Sequence, residues 1–283
     1  MAAGGPGAGR LLVVGHHSFL ARHLLAACAQ PVAAVAHDAV DRPDLLDGID
    51  RVISFARHPL LGSADYRVAT MDPDLRLAGR IGARGIDYVM LSSRKVYAPS
   101  AKPLGETDPT GPQDLYGRHK LALEQALRER LGARLTILRL ANVFGYERGP
   151  ARRTFMSLTL DQLARDGQIR FDMSPFVVRD FLSVEACARV LARIVATPPG
   201  GVLNVGSGIA LPTGRVALWV LEGYGRGELV IESPREHDQF VLDIGELTRR
   251  YGPSCTYDEL RASCLDLGRR LAREPGQRSD TFA

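Results

Sequence analysis

Lysine is almost missing from this chain: Lys95, Lys102 and Lys120 stand alone in 283 residues, and every other side-chain cation is arginine or histidine. The net charge is only +4 and the arginines are scattered. No basic run exists to track a nucleic-acid backbone, so that partner is excluded. Local pairs such as Arg152 and Arg153 still suit a small anionic substrate. Cysteine is scarce as well. Cys28, Cys187, Cys255 and Cys264 form no CxxC and no grouping with histidine. That excludes a metal site and a disulfide framework, and leaves four small hydrophobes in a reducing compartment. No apolar run approaches the roughly 20 residues that span a bilayer. The start, Met1 to Arg10, is Gly/Ala-rich without a signal peptide's apolar stretch, so a disordered tail and a cytoplasmic protein with no membrane partner are expected.

What is present is ordinary globular material, with an apolar fraction of 45% that suffices for one large domain or a domain with a smaller lobe. Leu11 to Gly15 is a short continuous apolar run, the signature of a strand buried on both faces of a parallel sheet. A helix is expected from Phe19 to Gln30 and a second strand from Val32 to His37. Further strands are expected at Arg51–Phe55, Asp87–Leu91 and Arg134–Arg139, with helices near Pro73–Ala83 and Gln113–Arg130 between them. Such alternation predicts an α/β fold, a doubly wound parallel sheet of the Rossmann type. Residues 1–145 are expected to form this domain, with 180–206 returning to it, and 146–283 a smaller C-terminal lobe. In that second part Phe155–Arg165, Val184–Ala196 and Tyr257–Arg273 read as helices. Gln168–Phe171, Gly201–Val205, Leu229–Glu232 and Phe240–Leu242 read as strands, and Pro198 to Gly201 as a turn.

Two local patterns carry chemistry. Gly15-His-His-Ser-Phe-Leu-Ala21 lies between the first strand and the first helix, where a pyrophosphate meets a helix N-terminus. Only the first glycine of a G-x-x-G-x-x-G pattern is present. Ser18 and Ala21 fill the other two places and are small enough for close backbone approach. Candidate cofactor contacts are Gly15, His17, Ser18, Phe19 and Leu20, with Phe55 and Ala56 at the end of the third strand. Asp38, about twenty residues beyond the loop, suits ribose hydroxyls and repels a 2′-phosphate, which favours NAD over NADP. His17 and Arg22 pull the other way. The plainer reading of the loop is a tight strand-to-helix turn. The second pattern is Tyr116-Gly-Arg-His-Lys120, a phenol and an ammonium one helical turn apart on one face. An exposed i,i+4 pair is its plainer reading.

Together these residues resemble the extended short-chain dehydrogenase/reductase family of NAD-dependent nucleotide-sugar epimerases, dehydratases and ketoreductases. The resemblance runs from Leu11 to about Gly208. Its landmarks are the loop at Gly15, Leu91 to Tyr97, Pro103 to Glu106, Tyr116 to Lys120, Arg139 to Gly145, Arg179 to Glu185 and Leu203 to Gly206. It implies a catalytic triad of Ser93, Tyr116 and Lys120, with Tyr116 as general acid/base and Lys120 also holding the cofactor ribose. It implies NAD or NADP as cofactor, no metal, a nucleotide-sugar substrate and a homodimer. Asn142 and Arg179 match diphosphate contacts, and Arg235 a second one. Ser93 and Arg94 would meet the sugar. A neighbouring ammonium and an oxidised nicotinamide both favour a phenolate, which brings a phenol into range for proton transfer. The plainer readings are a strand-end turn serine for Ser93 and a surface ion pair with Asp180 for Arg179.

The chain departs from the family in three places. Arg94 and Lys95 stand where dehydratases carry Asp-Glu, and two cations cannot perform 4,6-elimination. Asp38 to Asp50 is too short for the usual third strand and crossover, which alters the adenine pocket. Ser54 to Arg57 replaces a glycine- or alanine-rich stretch, with Ala69 where an Asn is common. A trimmed cofactor site suits release of oxidised cofactor at each turnover. The expected function is therefore NAD(P)H-dependent reduction of a keto group on a nucleotide-linked deoxysugar, most simply a 4-ketoreductase of deoxysugar biosynthesis. The alternatives are a 4-epimerase with tightly held NAD and a non-catalytic dinucleotide sensor. Sensors tend to lose the Tyr and Lys that this chain keeps.

Overall fold

The computed structural model describes residues 9–82, 84–148 and 154–274. Residues 1–8 of the expected tail and the pair Arg152 and Arg153 lie outside the described residues. Arg10 itself belongs to the fold, since its N–H donates to Asp50 Oδ2 at 2.7 Å.

The apolar runs form the sheet. In chain order, β1 (Leu11–Val14) is followed by α1 (Phe19–Ala27), β2 (Val32–Val35), β3 (Arg51–Ser54), α2 (Val68–Met71), α3 (Pro73–Ile81), β4 (Asp87–Ser93), α4 (Leu115–Leu131) and β5 (Leu135–Leu140). After β6 (Asn142–Phe144) come α5 (Phe155–Asp166), β7 (Gln168–Phe171), β8 (Val178–Arg179), β9 (Phe181–Ser183), α6 (Val184–Ala196) and β10 (Gly201–Val205). The rest is β11 (Leu211–Pro212), α7 (Thr213–Tyr224), β12 (Glu228–Ile231), α8 (Gly245–Tyr251) and α9 (Tyr257–Ala272). Six strands pair in parallel in the order β10-β5-β4-β3-β1-β2. Alternate residues of β1 explain its unbroken apolarity. Leu11 and Val13 enter one core layer with α1 and α6, while Leu12 and Val14 enter another with α3 and α4. The chain reverses winding between β1 and β3, and in such sheets ligands gather at the carboxyl ends of those strands.

Residues 36–50 form a 3-10 turn at His37–Asp41 and further turns, with no strand, so β2 is the sheet edge and stays half-exposed. The short Asp38 to Asp50 connection foretold this. Its apolar residues Val40, Leu45, Leu46 and Ile49 tuck under the sheet. A third apolar cluster draws on α5, α7, α9, β7 and β9, with Trp219 and Phe181 buried in it. There α7 and α9 touch backbone to backbone. A Cβ on Gly223 would overlap the Leu265 carbonyl, and one on Gly268 the Val220 carbonyl. Among the described residues no helix is long and apolar enough to cross a membrane. The four cysteines are free, Cys187 and Cys264 buried and Cys28 and Cys255 half-buried.

Candidate active site

The β1–α1 loop is tied down from both sides. Gly15 takes the left-handed conformation at φ 77°, and the N–H groups of Gly15 and His16 both donate to Val35 O, at 2.8 and 3.2 Å. A Cβ at Gly15 would press on the Phe55–Ala56 backbone at 3.0–3.2 Å, so this position demands glycine where the loop meets the end of β3. Ser18 caps α1, its Oγ accepting from Ala21 N at 3.2 Å. No acidic residue lies in the first turn to compete for an anion. The rings of His16 and His17 sit 3.8 Å apart, and His16 Nδ1 is buried without a partner among the described residues. A tight turn with an orphaned polar atom and a helix N-terminus fits a pyrophosphate. Phe19 and Leu20 turn their side chains into the core. His17, Arg22 and Asp38 are exposed on this side of the sheet. Phe55 is buried and Ala56 half-buried, with Ala56 N–H donating to Ser54 Oγ at 3.2 Å.

The second pattern is no exposed pair. Asp114 caps α4, accepting from Gly117 N at 2.7 Å, and also holds Lys95 Nζ at 2.5 Å. The Lys95 carbonyl lies so close to Gly117 that a side chain there has no room, which presses the 94–96 turn against the first turn of α4. Ser93 opens that turn, its Oγ accepting from Lys95 N at 3.2 Å, so the strand-end serine and the candidate hydroxyl partner are one residue. One turn along from half-buried Tyr116, Lys120 is only 6% exposed, and its Nζ donates to Leu91 O of β4 at 2.9 Å. Arg57 approaches Tyr116 from the loop after β3, its guanidinium carbon 5.7 Å from the ring centroid. Lys95 Nζ is 5.9 Å from the same centroid.

Across the cleft, Arg179 and Asp180 are neighbours with opposite fates. Asp180 is fully buried and accepts from Ser207 N and Oγ, both at 2.8 Å, from Gly208 N at 3.1 Å and from Leu242 N at 3.2 Å. Burial still pushes its carboxyl up to about 6, against the pull of those donors. It makes no ion pair with Arg179, which removes the surface-pair reading. Arg179 Nε is buried with no partner among the described residues. Burial first, and the charge of Arg94 second, hold its guanidinium below the usual arginine range, while Asp238 pulls the other way. Arg94 pairs with Asp238 and lies over Phe240, 3.7 Å from the ring centroid. A cavity of about 230 Å³ adjoins it, lined by Lys95, Tyr97, Asp114 and Asp238 among others. Asn142 N–H donates to Asp180 O at 3.1 Å where β6 meets β9. Arg235 sits on the exposed 234–239 stretch that also carries Asp238. Sequence reasoning missed Asp238, Phe240 and Arg57; no local pattern marks them.

Other landmarks turn out to be framework. Tyr97 Oη donates to Asn204 Oδ1 at 2.7 Å, and Asn204 Nδ2 donates to the carbonyls of Leu104 and Asp243 at 2.8 and 3.1 Å. Asn204 N–H donates to Glu106 Oε1 at 3.0 Å. Arg139 grips Glu124 through two bonds at 3.2 and 2.8 Å and lies under the Tyr97 ring, while Ser92 donates to the same carboxylate. A buried pair is tolerable only when its remaining donors and acceptors are met in this way.

Known proteins resemble this chain in sequence and in fold. The profile of the NAD dependent epimerase/dehydratase family matches residues 11–206. A curated relative, an ADP-L-glycero-D-manno-heptose-6-epimerase of Alkalilimnicola ehrlichii, is 30% identical over 160 residues, 52% of this chain and 49% of that protein. The chain thus matches about half the length of that relative. Among solved structures, TunA, an NAD dependent-NDP-hexosamine 5,6-dehydratase involved in tunicamycin biosynthesis, superposes with a TM-score of 0.77 at 20% identity, covering 93% of this chain and 98% of that one. RMD from Pseudomonas aeruginosa, complexed with NADPH, gives 0.75 at 23% identity, covering 93% and 99%. With the profile spanning well over half of its residues, the chain belongs to the NAD-dependent epimerase/dehydratase family.

Proposed function

We propose that the protein reduces a keto group on a nucleotide-linked deoxysugar at the expense of NAD(P)H, most simply as a 4-ketoreductase. The observation that carries this reading is the Ser93 turn pressed against the first turn of α4, which bears Tyr116 and Lys120, together with a buried Arg179 Nε that has no hydrogen-bond partner among the described residues. In this reading residues 1–145 hold the cofactor through the Gly15–Leu20 loop, Asp38, Phe55 and Ala56, and residues 146–283 supply the substrate lobe. A nicotinamide held there would supply the hydride. Tyr116 gives its proton to the former keto oxygen, Ser93 holds that oxygen in line, and Lys120 stabilises the phenolate left behind. Arg179 and Asn142 hold the diphosphate, with Arg235 closing over it.

Arg94 and Lys95 weigh against elimination, because both are committed: Lys95 to the α4 cap and Arg94 to Asp238 and Phe240. The half-exposed edge strand β2 suits a cofactor that comes and goes. An epimerase reading draws support from the curated heptose 6-epimerase relative. One assay separates them. Enzyme, reduced cofactor and a 4-keto-6-deoxy sugar nucleotide are mixed and nicotinamide absorbance is followed. Stoichiometric oxidation is expected. No oxidation, together with interconversion of 4-hydroxy epimers without added cofactor, replaces this reading with the epimerase.

A further inference from the structure

Two distant parts of the chain meet at Arg94. It follows Ser93 in the turn after β4, with its side chain only 14% exposed. The guanidinium pairs with Asp238 and lies 3.7 Å from the centroid of the Phe240 ring. Both partners come from the stretch between β12 and α8. That stretch is tied at Arg235, whose carbonyl accepts from Ser174 N at 2.8 Å, and at Phe240, whose N–H donates to Val178 O at 3.2 Å. Between those ties, residues 236–239 have one hydrogen bond among the described residues, the one Asp238 accepts from Arg94. Phe240 is buried and bridges to Arg179, which also pairs with Leu211 of β11. The ring beside the Arg94 guanidinium thus belongs to a residue that flanks Arg179.

We propose that Arg94 and Asp238 form a clasp between the Ser93 turn and the substrate lobe, which makes Arg94 a positioning residue for Arg179 and Arg235. The inference rests on the proposed diphosphate role of those two arginines. One guanidinium does two things. Its charge holds Asp238 and so steadies the run that carries Arg235, while its face covers Phe240 and so steadies the strand edge beside Arg179. Lysine could supply the charge but not the planar face. The clasp also forms part of the wall of the cavity of about 230 Å³, with Lys95 and Asp114 among its other lining residues. Because Arg94 directly follows Ser93, the clasp sets the distance between the diphosphate seat and the group proposed to hold the keto oxygen. A sugar nucleotide gripped by Arg179 and Arg235 then reaches Ser93 in a fixed register. Arg94 is committed to the protein in this arrangement, and not to the sugar that the family resemblance assigns to it.

The test is a double-mutant cycle with two readouts. Hydrogen exchange at the Phe240 amide, followed by NMR, reports the clasp without reference to activity. Asp238→Asn and Arg94→Ala should each speed that exchange by about fivefold, the upper end for a half-exposed ion pair. The double variant should be no faster than Arg94→Ala alone, and Arg94→Lys should fall between Arg94→Ala and the wild type. In parallel, KM for the 4-keto-6-deoxy sugar nucleotide should rise about fivefold in each single variant, with a smaller change in kcat, and no further in the double. Exchange unchanged in both single variants, or effects that simply add in the double, overturns the clasp. A collapse of kcat in Arg94→Ala with Asp238→Asn silent also overturns it, because Arg94 would then touch the sugar itself. If exchange follows the clasp but KM stays put while Arg179→Ala raises it, the positioning role is overturned. If KM ignores Arg179→Ala as well, the clasp stands and the diphosphate reading falls.

Discussion

On the β1–α1 side of the cleft polar groups are left open: His16 Nδ1 has no described partner, and His17, Arg22 and Asp38 face solvent. On the β8–β9 side they are mostly closed, with Asp180 meeting four donors and Asn204 tied by four hydrogen bonds. Arg179 Nε and Thr213 Oγ1 are open exceptions there among the described residues. The difference separates two jobs. Closed groups set the shape of the cleft, and their loss should unfold it. Open groups wait for a ligand, and their loss should cost affinity or rate while leaving the fold alone.

The largest effect should come from Tyr116→Phe, which removes only a transferable proton. Turnover should fall about 10²–10⁴-fold with cofactor affinity, read by calorimetry, largely intact. A variant keeping more than a few per cent of wild-type kcat would end Tyr116's role. Next, Asp180→Ala leaves three N–H groups, two of them buried, without an acceptor and should cost about 3 kcal/mol or more in denaturant unfolding. A loss below about 1 kcal/mol would mean that water replaces the carboxylate.

Its neighbour should behave oppositely. Arg179→Ala should raise KM for the nucleotide sugar by about 10- to 100-fold, the worth of one or two charge-assisted bonds, with a smaller change in kcat. Thermal stability should hold. If Arg179→Ala melts as early as Asp180→Ala, the division between open and closed groups breaks. The smallest effect belongs to the sheet edge. Asp38→Ala should relax discrimination against NADP(H) by about tenfold, about 1.4 kcal/mol. A wild type that already prefers NADPH tenfold would hand that corner to His17 and Arg22.

What the sequence revealed was local. The Gly15 loop and the Tyr116–Lys120 spacing are set within one strand-to-helix junction and one helical turn, and β7, α6 and β10 run as their patterns indicate. Ends slipped where chain context decides. Helix α1 stops at Ala27 instead of Gln30, because Pro31 disfavours helix just before it. Phe240–Leu242 makes only isolated bridges to Arg179 and Leu104 in place of a strand. Helix α7 went unread because Trp219 and its neighbours are apolar on most sides, leaving little periodicity. The Arg94–Asp238 pair spans 144 residues, beyond any spacing argument.

The bare contact at Gly223 and Gly268 works like a shim. Helix α7 begins at Thr213, whose N–H is pinned to Val177 O at 2.9 Å, and the preceding strand β11 pairs Leu211 with Arg179. The reach of the arginine is therefore gauged by how closely α7 lies against α9, at the far end of the lobe. One methyl at either glycine thickens the shim, and the helices must part or tilt to admit it. The adjustment runs down α7 to its first residues and to the strand that seats Arg179. In the proposed reading, the seat of Arg179 has its tolerance set by two hydrogen atoms at the helix contact.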